Sequence, residues 1–149
     1  MRDIDYIVIH CAATKPSMDV PIERVRKWHL DRGWSDIGYH YYITRDGKIH
    51  KGRDLSVVGA HVSGYNKNSI GICYEGGIDE SGNPEDNRTD EQKKSLLKVV
   101  KVLKFVFNNA IVQGHRDFPN VKKACPSFDV ASEFGWMNEP KPKKSKSKK

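Results

Sequence analysis

Apolar residues along this chain fall into short blocks whose spacing predicts the elements. Residues 4–10, IDYIVIH, form a nearly continuous apolar and β-branched run, the pattern of a strand covered on both faces. His10 stands where that strand ends. The period then changes. Ile22, Val25 and Trp28 or His29 recur at helical spacing, with Asp19 as the expected cap, Pro21 in the first turn and Gly33 as the stop.

GYHYYITRDGKIHKGRD, residues 38–54, reads as two strands around an Asp46–Gly47 turn, because such pairs accept positive φ. Another apolar run, Ser69 to Gly77, precedes a polar, turn-rich stretch expected to be exposed. Thr89 and Gln92 form a capping-box pattern ahead of the longest helical repeat, Leu96, Leu97, Val99, Val100, Val102, Leu103, Val106 and Phe107. AIVQGHRDF gives a short strand ending near His115, and ACPSFDVASEFGW a loop and a last short helix to about Trp136. The order β, α, β, β, β, α, β, α implies an α/β fold, one domain with a central mixed sheet flanked by helices.

Composition narrows this further. The 149 residues, 37% of them hydrophobic, suffice for one core and not for two full domains. No run approaches the roughly 18 apolar residues of a membrane span. The start, MRDIDYIVIH, is interrupted by Asp5 and lacks the apolar region of a secretory signal, so synthesis in the cytoplasm is expected. The formal charge is +7, but the last ten residues, PKPKKSKSKK, hold six lysines and no acid, which leaves +1 for the rest. The expected division is a folded domain over 1–139 and a disordered Lys-rich tail over 140–149, suited to an anionic surface.

Cys11, Cys73 and Cys125 are odd in number and widely spaced, which disfavours a disulfide framework. Each is a buried thiol, a nucleophile or a metal ligand. Six histidines are present, with no HExxH and no CxxC. His10 and His115 each end a short apolar strand, where open α/β sheets place their sites, and Cys125 follows in a Pro-containing loop. Two imidazoles, one thiolate and a water would make an open zinc site. Spacing alone does not select that reading over ordinary structural histidines.

Longer stretches carry a resemblance. VIHCAATKP from Val8, GWSDIGYHYYITRDGKIHKGRD from Gly33, GAHVSGYNKNSIGICYEGG from Gly59, QGHRDF and KKACPSFD are similar to zinc-dependent N-acetylmuramoyl-L-alanine amidases. Within them the likeness is to the short T7-type bacteriophage lysozymes, a branch related to peptidoglycan recognition proteins, and it runs from about Tyr6 to about Trp136. The resemblance implies an amidase/peptidoglycan recognition protein-like fold, one Zn2+ held by His10, His115 and Cys125, and Tyr39 with Lys123 as the catalytic pair. It also implies peptidoglycan or a muropeptide as substrate, with cleavage between N-acetylmuramic acid and L-alanine. Endolysin-like release to the cell wall follows if the gene is a phage's. By family likeness alone, an RNA polymerase is a second partner. The protein is expected to act as a monomer.

His61, in the GAHVSGYN run, is a candidate substrate contact, and Asn68 and Ser69 nearby are also ordinary turn formers. His40 is expected in the core or behind the site, His29 and His50 at the surface. Trp34, Tyr41 and Tyr42 are expected in the core, Cys11 and Cys73 as inert buried thiols. Three rival readings compete: a non-catalytic peptidoglycan-binding module, a cytoplasmic muropeptide-recycling amidase, and a cysteine peptidase using Cys125 and His115. Retention of Cys125, Tyr39 and Lys123 speaks against the first, and His10 would be unexplained in the last.

Overall fold

The computed structural model describes residues 2–138, so the predicted tail lies outside the described residues. Five strands are present among the described residues: β1 (Tyr6–Cys11), β2 (Tyr41–Ile43), β3 (Ile49–Lys51), β4 (Ser69–Tyr74) and β5 (Ile111–Gly114). They form one mixed sheet in the order β3-β2-β4-β1-β5. β1 pairs in parallel with both β4 and β5, β2 is parallel to β4, and only the β2–β3 hairpin is antiparallel. β1 is thus interior, as its unbroken apolar run requires, and five of its six residues are buried.

The helices are α1 (Ile22–Asp31), α2 (Asp90–Val106) and α3 (Val130–Phe134). On one face of the sheet, Leu96, Val99, Val100 and Leu103 of α2 pack with Val130 and Phe134 of α3 on Ile7, Ile9, Ile70 and Ile72. On the other, Ile22 and Val25 of α1 pack with Val20, Ile37, Tyr42 and Cys73. Alternation along the strands sorts the residues between these faces.

Local signals place the helix ends. The Thr89 hydroxyl accepts the Gln92 N–H and the Gln92 side chain accepts the Thr89 N–H, each at 3.0 Å, so the expected capping box is formed. Gln92 then spends its amide group on the sheet, donating to the Ile43 and Glu75 carbonyls at 3.1 and 2.8 Å. Gly33, φ +90°, follows α1 as the stop. The expected Asp19 cap is not made: Pro21 occupies the cap position without a side-chain bond, and Asp19 only offers its carbonyl to Arg24. Proline offers no side-chain acceptor to the first-turn N–H groups, so the helix starts without a polar cap and the Arg24 N–H bonds to the Pro21 carbonyl at 3.0 Å. Among the described residues no helix is long and apolar enough to cross a membrane.

Candidate metal and catalytic centre

His10 lies on β1, and its direction follows from the pleat. Ile7, Ile9 and Cys11 join the core under α2, while Val8 packs with Val62 and Phe118 on the opposite face, so His10 projects towards the α1 side. It is 1% exposed. His115 opens a short 3-10 turn directly after β5, secured by Asp117 Oδ2, which accepts the Gly114 N–H at 2.8 Å. Cys125 arrives from the loop that follows. Its Sγ accepts the Cys11 backbone N–H at 3.2 Å, and its carbonyl accepts the Arg116 N–H at 2.9 Å.

These placements bring the three predicted ligands together. The donor atoms of His10, His115 and Cys125 all lie within 4.8 Å of one another. His10 Nδ1 is 3.9 Å from Cys125 Sγ, and tetrahedral zinc with bonds of about 2.0–2.1 Å to N and 2.3 Å to S would set N and S roughly 3.6 Å apart. Burial, then the neighbouring His61, His115 and Lys123, hold His10 well below the ordinary histidine range; burial and Lys123 lower His115. Both imidazoles are therefore neutral at pH 7, the form that binds a metal. Hydrogen bonding with Cys11 and burial push the Cys125 thiol up, an effect that a cation at its sulfur would reverse. The donor set fits a borderline-soft divalent ion with one open position.

A cavity of about 570 Å³ opens over these donors, with Trp28, Arg32 and Trp34 on the α1 side and Asn120 and Lys123 on the loop side. Tyr39 lines it too, its ring 5.1 Å from that of His10. Burial, then the thiols of Cys73 and Cys125, keep the Tyr39 phenol well above its ordinary pKa, so it is a neutral hydroxyl donor. Every predicted ligand and catalytic residue thus borders one space. His61 borders it as well, but its Nδ1 is engaged with His10 Nε2 at 2.8 Å.

Some expectations outside this set need correction. His29 is buried, not on the surface: Nδ1 accepts the Gly38 N–H at 2.8 Å, and the ring sits against Trp34 and Tyr39. Burial, then Arg32 and Arg53, lower its pKa to about 4. Trp34 is half-buried on the cavity wall instead of in the core, because the chain reverses at Gly33 and the Trp34 N–H bonds back to the His29 carbonyl at 3.2 Å. The Arg32 guanidinium stacks over its ring at 5.3 Å. The wall formed by Trp28, Arg32 and Trp34 escaped the sequence reading. Its only trace there is the aromatic and basic content of the last turn of α1. Half-buried His50 meets the Thr44 hydroxyl, and Tyr42 is core as expected. Buried Cys11 lends the site its backbone, as its N–H reaches Cys125.

An α/β domain with a His, His, Cys donor set at the C-terminal ends of its parallel strands, beside a lysine and a half-buried tyrosine, is laid out as a metal-assisted hydrolase. The chain belongs to the N-acetylmuramoyl-L-alanine amidase family, whose model matches residues 1–128. It is 46% identical over 129 residues to the endolysin of Klebsiella phage KP32, covering 87% of this chain and 84% of that one. To the endolysin of Escherichia phage T7 it is 45% identical over 126 residues, 85% and 82% of the two chains. Among solved structures, the N-acetylmuramoyl-L-alanine amidase LysC from Clostridium intestinale URNW superposes with a TM-score of 0.76 at 28% identity, over 90% of this chain and 87% of that one. The expected amidase and recognition-protein fold is thereby established.

Proposed function

We propose that this amidase is a zinc-dependent, endolysin-type enzyme. It hydrolyses the bond between N-acetylmuramic acid and L-alanine in peptidoglycan, with His10, His115 and Cys125 holding the ion. The observation that carries the reading is the convergence of these three donors at the floor of the cavity that Tyr39 and Lys123 also line. The names of the phage relatives support the lytic role over muropeptide recycling. A zinc ion at this position supplies Lewis-acid activation of water and of the scissile carbonyl at neutral pH. The Lys123 ammonium compensates the negative charge that attack places on the carbonyl oxygen. Tyr39 offers a neutral hydroxyl to the same reacting atoms. Cys11 and Cys73 take no part.

The test is mass spectrometry of products from purified peptidoglycan, with and without a chelator. The expected products are peptides with a free L-alanine amino group and glycans with a free lactyl carboxylate, and chelation stops their appearance. Cleavage within the stem peptide, or cleavage indifferent to chelator, would refute the reading and favour the cysteine peptidase.

A further inference from the structure

A metal-binding histidine must present a lone pair on one ring nitrogen, and the partner of the other nitrogen decides which one it presents. His10 Nδ1 faces Cys125 Sγ, whereas Nε2 lies 2.8 Å from His61 Nδ1. With its lone pair at Nδ1, neutral His10 carries its proton on Nε2 and donates it to His61. His61 must then accept at Nδ1 and hold its own proton at Nε2, which lies 3.1 Å from Ser69 Oγ. The two hydrogen bonds run in one direction, away from the donor cluster and into the sheet, ending on a fully buried serine.

The His61 ring is fixed by more than these bonds. A Cβ on Gly71 would stand 2.7 Å from His61 Cγ, so only glycine there leaves room for the ring; at Gly59 a Cβ would meet the Gly38 carbonyl oxygen and His40 Cε1 at 2.8 Å and His61 Cδ2 at 2.9 Å. Asn66 Oδ1 accepts the backbone N–H groups of both His61 and Val62 at 2.9 Å. The ring meets His10 edge-on, with centroids 4.9 Å apart and planes at 83°. This seat is complete without any substrate.

We infer that His61 is a positioning residue: with Ser69 behind it, it fixes the tautomer and ring orientation in which His10 binds the metal. The inference rests on the zinc reading and deepens it. Because the acceptor is a neutral imidazole and not a carboxylate, it orients His10 without adding negative charge beside the thiolate.

The test measures the zinc dissociation constant by competition with a chromophoric chelator and the absorption spectrum of the Co2+-substituted protein, with the melting temperature of the metal-free protein as a control. Loss of such an outer partner costs about 10- to 100-fold in metal affinity, which is the expectation for His61→Leu, with an altered Co2+ spectrum. His61→Gln, whose side-chain oxygen can accept from His10, restores much of that loss. Ser69→Ala weakens zinc a few-fold. If His61→Leu does not fold, the same ordering of His61→Gln and Ser69→Ala against the parent decides. Zinc affinity and Co2+ spectra unchanged in the folded variants, or His61→Gln no tighter than His61→Leu, would overturn the role of His61 alone. A parent protein that binds no zinc would overturn the zinc reading as well.

Discussion

His10 and Cys125 reach the same point from opposite kinds of backbone. His10 sits on a strand with parallel neighbours on both sides, opposite Cys73 of β4 and one residue past the last β5 pair, Ile9 with Gly114, so the ladders fix its Cα and the pleat fixes its direction. Cys125 lies in a stretch without sheet pairing, held by a handful of separate bonds. The Cys11 N–H reaches its sulfur, Ser127 Oγ donates to the Gly77 carbonyl at 2.8 Å, and the Tyr74 hydroxyl donates to the Pro126 carbonyl at 2.6 Å. Ser127 holds φ +69°, a conformation few side chains adopt without such a tether. The sheet side gets its precision from the fold, and the loop side from individual side chains. A change on the sheet side should therefore register first as stability, and one on the loop side as chemistry.

The largest effect should come from the loop. Cys125→Ala is expected to lose both zinc and amide hydrolysis while staying folded; Cys11→Ala and Cys73→Ala should keep the metal. Elemental analysis beside circular dichroism checks this, and stoichiometric zinc in Cys125→Ala would break the ligand assignment. Next, on the sheet side, Ile9→Ala empties a fully buried position next to His10 and should cost about 2–5 kcal/mol in denaturant unfolding, with zinc still bound below the transition. A cost under 1 kcal/mol would mean that β1 is not the rigid side.

Lys123→Ala or Tyr39→Phe should lower kcat by about 10²-fold with zinc content and melting temperature nearly unchanged. A rate close to the parent's would remove that residue from the mechanism. The smallest effect concerns acid. Burial lowers His29 and His40 to about 4 in the folded protein, and each accepts a backbone N–H at Nδ1, from Gly38 and Gly71 respectively. The unfolded chain therefore binds protons before the folded one, so stability is full above about pH 6.5 and declines as pH falls towards 4. Melting temperatures across that window should show the decline, and His29→Gln should flatten it. A parent profile with no decline would contradict the buried, neutral state of these rings.

Local chemistry made much of the fold legible. The Thr89–Gln92 box, the Gly33 stop and the apolar run of β1 are decided by neighbours a few residues apart, and all three stand as read. Asp19 misled because two good signals, an acid and a proline, compete for one helix start, and the proline took the cap. The proposed ligand set was legible only through family likeness, since no local pattern ties His10 to His115 and Cys125, which the fold brings together. His29 was misplaced because its partner, the Gly38 N–H, is supplied by a chain reversal that periodicity does not contain. The contact of His61 with His10 likewise joins residues distant in sequence, and only the assembled loop reveals it.

β1 also acts as a ruler. Its alternate residues serve two unrelated purposes, Ile7 and Ile9 filling the core and His10 serving the cleft, so one phase of the pleat satisfies both. A single residue inserted between Tyr6 and His10 would turn the histidine into the core and an isoleucine into the cleft, and the error could not be absorbed at either end. The turn at residues 79–83, built on Asp79, belongs to no strand and carries no such phase. An insertion scan read by soluble yield and zinc content should find that turn tolerant and β1 intolerant, so length variation in this chain belongs in its turns and never in the strand that carries the proposed metal donor.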